Sequence, residues 1–309
     1  MTSTTKRSWY RVALGVPGGG APVIVAAAGE HLGASVATAE RHTPGGFAIA
    51  ADLALDADIP LGESLGKSPV VELSPDAAGP AGTAVSAGVP AGVPAGVPAG
   101  VPAGVPMDVP MFHWPVGVLP QLSRAAAVAG VRRGWTVRPH PELLVIEAQT
   151  DAEHLTDLFM GLIERLPHAD NLEVRMLDHF EDAGRADVWL TSRVDARRIL
   201  RFLDDHDAEL FGNGHLELSI YVRSHKATLR LTEHKTVVWL AEGRALEAEL
   251  ARWLGELAVP RVEALPTVKD VPHFHYRPAA SRDRKKLADE LYRQRLRRVD
   301  TLRLAAAGK

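Results

Sequence analysis

Two histidines flank a phenylalanine at His273-Phe274-His275, an alternation that puts both imidazoles on one side of an extended segment. Imidazoles presented in this way are how two ligands of a divalent metal such as zinc would be offered. A third ligand is missing locally, since no H-E-x-x-H and no carboxylate at ligand spacing accompanies them. They are therefore read as surface or packing histidines, and no metal and no cofactor is expected. The glycines Gly18-Gly19-Gly20 follow an apolar alternation, as phosphate-binding turns do, but position 23 is Val where G-x-G-x-x-G needs its last glycine. The expectation there is a plain flexible turn. The run Asp204-Asp205-His206-Asp207 falls near a helix C-terminus, where the macrodipole disfavours carboxylates, and is read as a solvated helix end. The chain has no cysteine and no G-x-S-x-G elbow, so no thiol or serine-elbow nucleophile is available. Carboxylates are too many to single out a pair for acid–base work, and no catalytic residue is assigned.

The strongest charge signal is at the C-terminal end. Ser281 to Lys309 holds ten basic and four acidic residues, a net of +6, whereas Arg138 to Pro260 holds 14 basic and 23 acidic, a net of −9. The candidate interaction residues are Arg282, Arg284, Lys285, Lys286, Arg293, Arg295, Arg297 and Arg298, placed on one basic helix from Ser281 to Arg303. The opposite signs point to docking on a protein partner or on the chain's own acidic domain. Nucleic acid is the alternative, its binding salt-dependent, with Tyr276 and Tyr292 for stacking.

The elements that would position these residues follow from periodicity. Trp9 to Val16 alternates as a strand, Val23 to Arg41 is Ala-rich with near-helical spacing, and Phe47 to Ala50 is a second short strand. This predicts a small β-α-β module over residues 1–57. Residues 58–110 lack sustained periodicity and carry Ala-Gly-Val-Pro five times in tandem from Ala87 to Pro106. Proline at every fourth position forbids a helix and a central strand, so the segment is read as a low-complexity tether. Residues 111–137 connect, with a short helix over Gln121 to Arg133.

Residues 138–262 are read as an α/β domain. The strand Leu143 to Ile146 is followed by Thr150-Asp151-Ala152-Glu153, read as a capping box, and by a helix with Leu155, Leu158, Phe159, Leu162, Ile163 and Leu166 on one face. Strands at Leu172 to Met176 and Asp187 to Thr191, a helix over Val194 to Leu210 and a strand at Leu216 to Val222 complete a β-α-β-β-α-β order. That order is the split-βαβ or ferredoxin-like one. A hairpin, Ala227 to Thr232 and Thr236 to Ala241 joined by Glu233-His234-Lys235, and a helix over Arg244 to Leu257 follow. The expected fold class is α+β, with an antiparallel sheet of up to six strands, and residues 263–309 an extended segment ending in the basic helix.

Composition is that of a globular protein, 46% apolar and 24% charged, and no uninterrupted apolar run is long enough for a membrane span. Arg11 and Pro17 interrupt the stretch after Lys6 and Arg7, which argues against a secretion signal and for a cytoplasmic protein. Two unlike modules on a regular spacer, with a basic arm, suit a non-enzymatic adaptor. An accessory place in a multi-gene bacterial signalling or defence assembly fits such a chain. Nucleic-acid binding through the arm and an enzyme with an unrecognised site in 138–262 are the alternatives.

Overall fold

The computed structural model describes residues 8–16, 22–53, 70–73, 112–122, 130–178 and 185–303. The Gly18–Gly20 turn, the Ala87–Pro110 tether and positions 123–129 of the expected Gln121–Arg133 helix lie outside them. The described chain is mixed helix and strand, with antiparallel sheets and six α-helices.

The first sheet is built by β1 (Ser8–Gly15), β2 (Val23–Gly29), β3 (Phe47–Leu53) and β4 (Val70–Leu73) in the order β3-β1-β2-β4, and α1 (Leu32–His42) packs on it. The helix expected over Val23 to Arg41 is thus a strand followed by a helix. Val23-Ile24-Val25 is β-branched, and β2 pairs along its length with β1 and also with β4. Pairing on both edges overrides the helix preference of the three alanines that follow. The helix starts only at His31, whose ring accepts from the Ala34 amide.

The remaining elements are β5 (Val118–Pro120), β6 (Gly134–Arg138), β7 (Leu144–Gln149), α2 (Leu155–Arg165), β8 (Asn171–Asp178), β9 (Arg185–Leu190), α3 (Ala196–Asp205), α4 (Asp207–Leu210), β10 (Leu216–Val222), β11 (Ala227–Leu231), β12 (Val237–Ala241), α5 (Glu247–Glu256), β13 (His273–His275), α6 (Arg284–Arg293) and β14 (Arg297–Arg303). Eight of these strands form one antiparallel sheet, ordered β14-β9-β8-β10-β11-β12-β7-β6. One strand, β8, lies between β9 and β10, which α3 joins; three lie between β7 and β8, which α2 joins.

Helices α2, α3, α5 and α6 cover one face of this sheet. Phe159 and Leu162 of α2, Ile199 and Leu203 of α3, Trp253 of α5 and Leu291 of α6 share a core with Val174, Leu218, Ile220 and Trp239 of the strands. Strand alternation sends Glu173, Arg175, Glu217, Ser219, Tyr221 and Arg230 to the opposite face, where Tyr221 donates to Glu173 at 2.6 Å. Among the described residues no helix is long and apolar enough to cross a membrane.

Several boundaries differ from expectation, each for a local reason. The cap ahead of α2 is Asp151, not Thr150: its carboxylate accepts from the His154 amide and starts a 3-10 turn that runs into the helix. The helix expected over Val194 to Leu210 breaks at His206, leaving Asp204 and Asp205 at the end of α3 and Asp207 in the first turn of α4. The single helix expected from Ser281 to Arg303 ends at Arg293. Arg295 takes a left-handed φ of 65°, the Arg295 amide bonds Tyr292 O, and the Leu296 amide bonds Leu291 O at 3.0 Å. This is the Schellman closure, with arginine where glycine is usual, and Leu291 and Leu296 are both buried beneath it. Arg297 and Arg298 therefore lie on β14, paired with β9. The sheet has eight strands rather than six because β14 and β6 extend its two edges.

Candidate metal centre

The hairpin between β11 and β12 turns at Thr232 to Thr236, closed by Lys235 N to Thr232 O (2.9 Å) and Thr232 N to Thr236 O (3.0 Å). Lys235 occupies the left-handed position, φ 62°, and its ammonium is fully buried, donating to Asn213 O at 2.6 Å. That bond draws the loop Gly212-Asn213-Gly214 against the hairpin tip. Burial pulls the Lys235 amine down to about 7, against the opposing charges of Glu233 and Glu217. Burial pushes Glu217 the other way, up to about 7, helped by its hydrogen bond to Glu233 and that group's charge and resisted by Arg230 and Arg175.

The same loop receives β13. Gly214 N donates to Tyr276 O at 3.0 Å and Tyr276 N donates to Gly117 O at 2.8 Å. A Cβ on Gly214 would come within 1.9 Å of Gly117 O, and Gly117 itself has φ 99°, so both positions require glycine. β13 pairs with β5, and its alternation divides its side chains between two bodies. Phe274, with Tyr276 and Leu119, completes the apolar core of the first sheet. His273 and His275 meet the hairpin of the eight-stranded sheet, where His234 waits.

The three rings form a propeller. Centroids lie 4.8 Å apart for His273–His275 and His234–His273 and 4.9 Å for His234–His275, with planes at 70°, 75° and 71°. One ligand nitrogen of each lies within 4.8 Å of the others. His273 Nδ1 stands 2.7 Å from Val271 O and His275 Nδ1 2.8 Å from Gly214 O. A carbonyl only accepts, so both Nδ1 atoms carry protons and both Nε2 atoms present lone pairs. Those two Nε2 atoms are 3.0 Å apart. Two lone pairs at that distance need a cation between them, either a proton or a metal ion. A tetrahedral ion with nitrogens at about 2.0–2.1 Å holds its ligand atoms roughly 3.3 Å apart, close to what His273 and His275 already adopt. Backbone carbonyls on the far nitrogens are the usual second layer around ligating imidazoles. Glu233, 3.3 Å from His234 Nδ1, occupies the equivalent place for the third.

No known protein family, curated protein or solved structure matches the chain.

The sequence reading set His273 and His275 aside for want of a third ligand. In the fold a third imidazole, His234, stands beside them, carried by a hairpin tip read only as a polar turn. Nothing in local spacing marks it, because hairpin and β13 are far apart in sequence. His215 stands nearby, its ring 6.3 Å from that of His275. His206 belongs elsewhere, its ring bonded to Phe202 O at 3.0 Å and facing Glu290 at 3.4 Å.

The candidate interaction residues are divided. Arg282 meets Glu209 at 3.3 Å, and its amide also bonds that carboxylate. Arg284 meets Asp187 at 2.7 Å, and Arg298 pairs with the other oxygen of the same carboxylate. Arg293 meets Glu290 and Lys286 meets Asp283, at 3.2 and 3.3 Å. Lys285, Arg295 and Arg297 are exposed.

Proposed function

We propose that this is a metal-binding protein whose centre, His234, His273 and His275, takes a divalent late first-row ion, with zinc the best fit to three neutral imidazoles. The observation that carries the reading is the 3.0 Å approach of two Nε2 lone pairs, with a third imidazole in the same propeller. Three protein ligands leave a fourth position for water, and His234 is 22% exposed, so solvent has access. Zinc in such a setting lowers the pKa of bound water towards 7 and supplies a nucleophile or a Lewis acid. Glu233 would orient His234, and Lys235 would hold the hairpin tip on the Asn213 loop.

The test is cobalt and zinc titration of the full chain. The expected result is about one equivalent bound, with the visible absorption of four-coordinate cobalt, and loss of both in His273→Ala and His275→Ala. Absence of cobalt bands in the parent protein, or their persistence in both variants, overturns the reading; a proton shared by His273 and His275 would then be the cation between them.

A second, compatible reading keeps the chain as a modular interaction protein. The tandem Ala-Gly-Val-Pro segment and the exposed Lys285 and Arg297 support it. The β9-α3-β10 unit, with β8 between its strands, supports a split-βαβ, ferredoxin-like description of the larger sheet.

A further inference from the structure

A second site stands apart from the histidines, where α3 faces the turn after α6. A cleft of about 610 Å³ opens there, a size suited to a small organic ligand. Its floor is apolar: Leu172, Ile199 and Leu296 are buried and Phe202 is half-buried. Its rim carries four guanidiniums, Arg197, Arg198, Arg201 and Arg295, against two carboxylates, Asp195 and Asp205.

These four arginines, three on α3 and one after α6, differ from most cations of the C-terminal region. Arg282, Arg284, Arg293 and Arg298 are neutralised by Glu209, Asp187 and Glu290. Among the described residues, none of the four at the cleft has a carboxylate partner. Asp195 is already engaged as the cap of α3, its Oδ1 accepting from the Arg198 amide at 2.9 Å. Four like charges converge on one concavity of a chain whose net charge is −3. With Asp195 and Asp205 on the same rim the excess is two positive charges, which an entering anion would offset.

The backbone adds an independent sign. Arg295 is held at φ 65°, where glycine would fit without strain, and the closure that holds it there points an arginine at the cleft. Left-handed non-glycine residues occur at ligand clamps as well as at plain helix ends, and Arg295, unlike Ala258 at φ 56°, lines a cleft. The hydroxyl of Ser192 stands on the same rim and can hydrogen-bond a polar ligand edge, as can the side-chain carbonyl of Gln294, whose Nε2 donates to Glu290 at 2.9 Å.

We propose that this cleft binds a small organic phosphate of nucleotide size, with the phosphate on the guanidiniums and an apolar or aromatic ring over Phe202 and Leu296. Guanidiniums match phosphate oxygens in a bidentate way that ammonium groups do not, and the apolar floor distinguishes such a ligand from inorganic phosphate.

Calorimetry on the full chain with AMP, ATP, adenosine and inorganic phosphate tests it. The expected order is ATP and AMP well above phosphate and adenosine, with dissociation constants below about 1 mM at low salt. Arg201→Ala should weaken AMP binding about tenfold, the loss of one charge-assisted contact. Arg295→Gly should weaken it similarly while leaving the melting temperature unchanged or higher, because glycine removes the strain. No saturable heat with either nucleotide, or binding unchanged in both variants, overturns the proposal. So does displacement of AMP by a single-stranded oligonucleotide whose own binding neither variant weakens, which would place the anion on another surface.

Discussion

The C-terminal arm and the His273-Phe274-His275 strand make opposite cases for reading function from local sequence. The arm is the loudest signal in the chain, net +6 over Ser281 to Lys309, yet much of its charge is spent inside the molecule. Asp187 alone, 7% exposed, takes Arg284 from α6 and Arg298 from β14. The histidine strand is a quiet signal, two imidazoles with no third in reach, yet folding brings a third imidazole beside them from a hairpin far upstream. Charge along a sequence records what must be neutralised as readily as what is offered to a partner. A ligand set is recorded only in part, because its members need share no spacing.

The sharpest way to break this comparison is to remove Asp187. If the arm is structural, Asp187→Ala should cost up to about 3 kcal/mol, because it removes a buried carboxylate that bonds both the half-buried Arg284 and the more exposed Arg298. Urea unfolding followed by tryptophan fluorescence would measure it. Metal stoichiometry of the folded variant should not change. A loss below about 0.5 kcal/mol would make Arg284 and Arg298 ordinary surface charges and return the whole arm to the pool of interaction residues.

The complementary experiment is on the histidines. Zinc at a hundredfold excess over its dissociation constant should stabilise the parent chain by about 2.7 kcal/mol, through binding to the folded state alone. His275→Ala should abolish that gain. A metal held by the three imidazoles would join the hairpin of the eight-stranded sheet to a strand whose Phe274 sits in the first sheet's core, so zinc should also slow amide exchange in β1 and β3. Equal stabilisation of parent and variant would place the metal elsewhere.

Much of the larger sheet was legible because its signals are local. Leu216, Leu218, Ile220 and Val222 alternate as they must on a half-buried strand, and Leu155, Leu158, Phe159 and Leu162 trace the stripe that α2 buries. What escaped reading depends on partners distant in sequence. Val23 to Gly29 is Ala-rich and strand only because β1 and β4 flank it. Arg297 to Arg303 is too charged to resemble a strand until Asp187 on β9 is there to receive it. Of the candidate centre, two ligands out of three were visible, and the glycine contacts between Gly117 and Gly214 that hold them were not.

A smaller effect separates the buried network beneath the histidines from the arm's exposed pairs. Glu217 has a folded-state pKa raised to about 7 by burial and by Glu233, above its unfolded value of 4.5. A carboxyl raised in this way stabilises the fold fully below the unfolded value and loses that contribution as pH rises through about 7. Between pH 4.5 and 7.5 the parent chain should therefore lose stability, and Glu217→Gln should flatten this part of the profile by about 1–2 kcal/mol. Urea midpoints at a series of pH values would show it. An unchanged slope would mean that Glu217 ionises freely and that solvent reaches this face of the sheet.

The smallest expected effect compares two helix ends of the same design. α5 closes as α6 does, with Ala258 at φ 56° and the Val259 amide on Leu254 O at 2.8 Å. Ala258 is exposed and lies away from the cleft, whereas Arg295 lines it. Glycine at either position removes a left-handed side chain and should add about 0.5–1 kcal/mol. Ala258→Gly should raise the melting temperature and leave AMP and zinc binding untouched. If Arg295→Gly gives the same rise with the same indifference to AMP, the arginine at the second closure is an accident of sequence, and its strain serves no ligand.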